Sequence, residues 1–128
     1  MLKRVLVGLF RSYEQTGEKA QDPALKTRYY RLSRDKVWEE VKNMLNHMRG
    51  YEVLHEMKNV GEIVARKKTA TGRVQDITLT LFAINPVKTA VDLYSASRGT
   101  MGDLGGNYRT IIAIYQELDK RLSDRKLT

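Results

Sequence analysis

The sequence predicts an α+β domain in which a curved antiparallel sheet carries two helices on one face. Three observations carry this reading. Two segments repeat apolar residues at helical spacing, and several others repeat them at strand spacing. From Thr27 onward their order is β-α-β-β-β-β-α. Two apolar helix stripes and one alternating sheet bury each other most simply when both helices cover the same sheet face.

The first residues stand apart from that order. Leu2, Val5, Leu6, Leu9, Phe10 and Tyr13 fall on one helical stripe, with Lys3, Arg4 and Arg11 off it, so residues 1–13 are expected to form a basic amphipathic helix. The apolar run is shorter than that of a secretory signal, and no run approaches the ~20 residues that span a bilayer. Residues 14–26 are polar and contain Gly17 and Pro23, which reads as a linker. The folded domain is then expected over 27–122, able to fold without what precedes it, with a frayed tail at 123–128.

Within the domain, residues 27–32 form a short strand. Ser33 is suited to cap a helix over 34–49, with Asp35 in its first turn, where a carboxylate favours the helix dipole. Val37, Trp38, Val41, Met44, Leu45 and Met48 make its buried stripe, and Gly50 ends it in a left-handed conformation. Strands follow at 51–57, 62–67, 76–84 and 89–97, separated by turn residues. A last helix places Leu104, Tyr108, Ile111, Ile112, Tyr115, Leu118 and Leu122 on one face. This order is the one seen in TATA-binding-protein-like and helix-grip architectures, and such a likeness speaks to fold alone.

Composition narrows the function classes. With no Cys, disulfides and thiolate metal sites are excluded, and a reducing cytoplasm is the expected home. Two His, at 47 and 55, are too few for a His-rich metal site, so neither metal nor cofactor is expected. The net charge is +8, and residues 1–36 hold nine Lys/Arg against four Asp/Glu. That concentration suggests an anionic partner for the amino-terminal third: a lipid surface, nucleic acid or an acidic protein face.

Strand alternation sorts the sheet residues. Ile77, Leu79, Leu81 and Ala83 are expected under the helices, as are Thr89, Val91 and Leu93. Asp76, Thr78, Thr80, Phe82, Asp92 and Tyr94 are expected on the opposite face, with Arg66 a further candidate. A mid-strand carboxylate such as Asp92 needs a partner, and Arg66, Arg98 and a Thr hydroxyl are the candidates. Asp76 and Asp92 read either as an acid/base pair or as two acids each beside its own partner, and the second reading is preferred. His55 alternates with Tyr51, Val53 and Met57, as a core-edge residue would, and His47 reads as surface.

The most unusual stretch is residues 95–109, with Gly99, Gly102, Gly105 and Gly106 leading into a helix start. Ser97, Arg98, Thr100, Asp103, Asn107 and Arg109 are candidates for a small-anion site there. The preferred alternative is structural: Asp103 or Asn107 caps the helix while Arg98 or Arg109 clamps a loop carboxylate. Ser97-Arg98, Asp103-Leu104-Gly105, Asn107 and Arg109-Thr110-Ile111 resemble the closing signature of an uncharacterised bacterial family, domain of unknown function 1499. Val74-Gln75-Asp76-Ile77 is similar to that family's Asp-Asp strand start, with Gln75 in place of the first acid. Thr100 stands where the family has Gly. The likeness covers roughly 27–122 and implies a fold without implying an activity.

Three functions follow in order of preference. The first is a non-catalytic binding or accessory domain. Its amino-terminal helix (Lys3, Arg4, Leu6, Leu9, Phe10, Arg11) would dock on a protein partner or on an anionic membrane, at the inner face, and its Ser/Arg/Asp/Gly corner would hold a small anion. The second is nucleic-acid binding, which the carboxylates and sparse aromatics of the outer sheet face oppose. The third is an enzyme built on Asp76, Asp92 and Arg98, for which no nucleophile–base pair is visible.

Overall fold

A computed structural model describes residues 13–98 and 105–127. Strands β1 (Tyr13–Gln15), β2 (Arg28–Tyr30), β3 (Tyr51–Met57), β4 (Glu62–Lys68), β5 (Val74–Asn85) and β6 (Lys88–Ser97) form one antiparallel sheet. Helices α1 (Arg34–His47) and α2 (Gly106–Arg121) lie on one of its faces. The sheet order is β1-β6-β5-β4-β3, and β2 also pairs with β6.

The alternation expected from the sequence sets the core. Ile63 and Ala65 of β4, Ile77, Leu79 and Leu81 of β5, and Val91 and Leu93 of β6 turn inward. They meet Val37, Trp38, Val41, Met44 and Leu45 of α1, and Tyr108, Ile111, Ile114, Tyr115 and Leu118 of α2. Ser33 Oγ accepts a hydrogen bond from the Lys36 amide at 3.3 Å and starts α1. Gly50 follows the helix at φ +86°, and the Lys68 carbonyl approaches so closely that a Cβ there would meet it at 3.0 Å. Ala83 departs from expectation and is exposed, because the β5–β6 hairpin runs on past the helices. His55 is also exposed, since the β3–β4 register shifts between Val53 and His55 and takes it off the core face.

Residues 14–26 are not a linker. Tyr13 begins a strand rather than ending a helix, and it stacks on Tyr94 with ring centroids 5.8 Å apart. The registers Tyr13↔Ala96 and Arg28↔Val91, continued by one position at a time, bring Thr16 opposite Leu93 and Thr27 opposite Asp92. β1 and β2 are thus one edge strand interrupted by an excursion through residues 17–26. Backbone bonds from the Gly17 amide to the Leu25 carbonyl (3.0 Å) and from the Thr27 amide to the Gly17 carbonyl (3.4 Å) close its neck. A 3-10 turn (Pro23–Leu25), capped by Asp22, drops Leu25 into the core. This is a compact loop packed by its own side chains, of the Ω type. Its polar composition reflects a surface path, not a lack of order.

The tail is ordered too. Tyr30 bridges Lys126, the Leu127 amide donates to the Tyr29 carbonyl (2.9 Å), and the Arg31 amide donates to the Arg125 carbonyl (2.7 Å). The chain after α2 runs along β2 because β2's outer edge offers unpaired backbone groups. The expected helix over 1–13 lies, up to residue 12, outside the described residues.

Trp38 is 2% exposed within the α1 stripe. Trp38→Ala should lower the urea-unfolding free energy by about 3–5 kcal/mol through the cavity it leaves. Deleting residues 1–26 removes Leu25 from the core and strips β6 of half its edge partner. The truncated chain should therefore lose a cooperative urea transition, where an autonomous 27–122 domain would keep one.

Candidate functional site

Three places gather polar or charged side chains. The first is the corner where β6 hands over to α2. α2 starts at Gly105, which sits at φ +80° and offers no side-chain cap. Asn107 does not cap the helix: it sits inside the first turn and aims back at the sheet. It accepts a hydrogen bond from Ser95 Oγ (2.7 Å) through Oδ1 and donates one through Nδ2 to Ser97 Oγ (3.1 Å). Beside this, Thr110 Oγ1 donates to Gln75 Oε1 at 2.6 Å. Gln75 packs so near the helix start that a Cβ on Gly106 would lie 3.0 Å from its Nε2. Glu14 of β1, opposite Ser95, is only 3% exposed and adds a carboxylate to this end of the core. Burial pushes the nearby Tyr51 hydroxyl up to about 12.

Ser97 and Asn107 are therefore brought together, while Arg98 is not part of the group. Strand alternation sends Arg98 to the outer face, where it forks onto Asp76: Nε to Oδ2 and Nη2 to Oδ1, both at 2.9 Å. Arg109 is exposed and lowers the Lys67 ammonium's affinity for its proton, an effect secondary to that lysine's burial. Thr100 and Asp103 lie outside the described residues. Arg98 thus clamps a carboxylate of β5 on the outer face rather than one of the loop.

The outer sheet face is the second place. Asp76, Thr78, Thr80 and Phe82 stand opposite Ala96, Tyr94, Asp92 and Ala90. Asp92 takes the Thr partners that were among its candidates: Thr16 Oγ1 and Thr27 Oγ1 each donate to its Oδ1 at 2.7 Å. Thr16 Oγ1 also accepts the Leu93 amide at 2.8 Å, and the Thr16 amide returns a bond to the Leu93 carbonyl at 2.9 Å. Tyr115 of α2 donates to the Val91 carbonyl (2.7 Å) beside them, and burial raises its pKa. Asp76 and Asp92 are four strand positions apart, or roughly 13 Å. Each has its own partner, and Arg66 turns instead to Glu52.

The third place was not singled out in the sequence. Arg31, Leu32, Ser33, Lys36, Pro86, Val87 and Arg125 line an open cleft of about 400 Å³ between the start of α1, the β5–β6 turn and the tail. Thr89 Oγ1 donates to the Leu32 carbonyl (2.8 Å) and fixes one wall to β6. Among the described residues Arg31 and Lys36 face no carboxylate, and Arg125 has only its neighbour Asp124 at 3.8 Å. The charge excess of the amino-terminal third hinted at Arg31 and Lys36. Arg125 gave no signal, because the return of the tail along β2 leaves no pattern in the sequence.

Among the described residues no group of three or more His, Cys, Asp or Glu could hold a metal ion, and no helix is long and apolar enough to cross a membrane.

The Asp76 carboxyl is held below the usual aspartate range, chiefly by its hydrogen bonds from Arg98. Its folded pKa is depressed, so its contribution to stability is present above the unfolded value of about 3.9 and is lost as pH falls through the folded one. An NMR titration should give Asp76 a midpoint below that of an ordinary aspartate, and Arg98→Gln should move it upward. An unchanged midpoint in the variant would mean that the fork does not persist in solution.

A family model described as "Protein of unknown function (DUF1499)" matches residues 10–118. No curated protein matches the chain. Among solved structures, the crystal structure of Zhui aromatase/cyclase from Streptomyces sp. R1128 is similar at 14% identity and a TM-score of 0.35. The match covers 87% of this chain and 86% of that one. So loose a superposition transfers no residue's role.

Proposed function

The chain belongs to the DUF1499 family of proteins of unknown function, and from that premise we propose that it is a non-catalytic binding domain whose ligand is anionic and is held in the cleft of Arg31, Lys36 and Arg125. The observation that carries this reading is the convergence of three exposed cations around one concavity, where among the described residues Asp124, beside Arg125, is the one carboxylate paired with any of them. Several cations elsewhere on the described surface are spent on internal partners. Arg28 and Lys126 meet Asp119, Arg98 meets Asp76, Lys42 meets Glu56, and Arg121 meets Glu40 and Glu117. Like charges left facing one another in a cleft are mutually repulsive, and an anion between them relieves that repulsion.

The polar corner at α2 suits an anion less well. Its hydroxyls and amides bond one another, the buried Glu14 adds acceptor oxygens rather than a donor, and Arg98 is engaged outside. The separation of Asp76 from Asp92 leaves the acid/base reading without a pair.

Titration of the labelled protein with inorganic pyrophosphate at low salt should shift the amides of residues 31–36 and 125 saturably. Arg31→Glu with Lys36→Glu should weaken binding by at least about tenfold. Lys19→Glu with Lys120→Glu, an equal change of net charge at exposed sites away from the cleft, should leave it nearly unaltered. Uniform weakening by both pairs would reduce the effect to net charge and remove the cleft as a site.

A further inference from the structure

Resting on that reading, we infer that the anion is the headgroup layer of a lipid bilayer, and that the tip of the β5–β6 hairpin inserts while the cleft cations hold the headgroups. The hairpin turns on two residues, Pro86 and Val87, and is held by the Val87 amide donating to Asn85 Oδ1 at 2.9 Å. It projects past the helices, and several of its apolar side chains are exposed. Phe82 and Val87 are each 64% exposed, and Ile84 is exposed as well. The β3–β4 turn is tied beside it by the Leu81 amide donating to the Gly61 carbonyl (2.7 Å), and adds Val60, also 64% exposed.

Single exposed apolar residues are ordinary on a protein surface, but a group at one end of a molecule is not. What selects a bilayer is the charge around this group. Pro86 and Val87 share the walls of the cleft with Arg31, Lys36 and Arg125. Arg34 lines the adjoining hollow with Ala83, Asn85 and Pro86, and Lys88 follows the turn directly, its ammonium over the Tyr29 ring. The acids at this end are Asp35, which faces Lys58 at 3.7 Å, Asp124, beside Arg125, and Glu62, at the start of β4 opposite Thr80. Cations therefore outnumber acids around an apolar tip. An apolar projection with a basic collar matches the acyl boundary and anionic headgroups of a bilayer. A free phosphate would use the collar and leave the tip in water.

Flotation of the full chain with phosphatidylcholine vesicles, with and without about one third phosphatidylserine, tests this. Binding is expected to the anionic vesicles only, and to fall as salt is raised. Phe82→Ser with Val87→Ser changes exposed positions, so the fold should survive, as a thermal melt would show. That variant should lose at least about tenfold in vesicle binding while its pyrophosphate shifts persist. Arg31→Glu with Lys36→Glu should lose both. In a Phe82→Trp variant the added indole should blue-shift on vesicle binding, against a constant background from the buried Trp38. Pyrophosphate binding without flotation would overturn the lipid inference and leave the anion cleft standing. Loss of both in the wild-type chain would overturn the two together. Flotation that survives the hairpin substitutions but is abolished by Phe10→Glu would assign the contact to the amino-terminal segment and overturn insertion by the hairpin.

Discussion

A single carboxylate in the wrong kind of place organises this fold. Asp92 lies in the middle of β6, where a charged side chain ordinarily weakens a strand. It is tolerated because two threonine hydroxyls, far apart in sequence, both donate to it. Those threonines flank the excursion through residues 17–26, so the carboxylate holds together the two halves of a broken edge strand. Thr16 meanwhile supplies the acceptor that the Leu93 amide would otherwise lack at the break. Without this arrangement β6 would leave backbone groups unpaired at the gap, at the cost of an unmade hydrogen bond for each.

What hangs on the edge strand is the rest of the molecule's charged end. β2 exists as a strand only while it pairs with residues 89–91. It carries Arg31 at its exit, offers its far edge to the returning tail, and so fixes where Arg125 stands. Thr89 then ties the β2–α1 junction to the hairpin through the Leu32 carbonyl. The cationic cleft is thus assembled from three stretches of chain, and the strand that joins them is the one Asp92 clamps. Sequence to pairing, pairing to placement, and placement to an unneutralised concavity form one continuous physical chain.

Periodicity made most of this legible. The α1 stripe, the inward residues of β5 as far as Leu81 and of β6, the Ser33 cap and the Gly50 stop rest on local rules that act within a few residues, and the structure agrees with them. The largest failures share one cause. β1, the excursion and the tail are defined by partners about 80 to 100 positions away, and short polar segments carry no period that reveals such pairing. Asp92 was legible as needing a partner, and a threonine hydroxyl was among those considered. Which threonines could be known only from the register. The corner at α2 was visible as a glycine cluster, whereas Asn107 reaching back to Ser95 and Ser97 depends on a helix starting without a side-chain cap. Phe82 was legible from strand alternation as facing away from the helices, whereas its grouping with Val87 and Val60 at one end of the molecule depends on turns and register.

The central claim is that the clamp at Asp92 makes the broken edge strand a stable part of the domain rather than a fraying margin. Native-state hydrogen exchange of the Leu93 amide tests it most directly, because that proton is held by the Thr16 hydroxyl alone at the break. If the clamp works as described, this amide exchanges only through global unfolding, with the same denaturant dependence as amides of the central strand β5. Exchange through a low-energy, denaturant-independent opening would contradict it and return residues 13–30 to the status of a loosely attached segment.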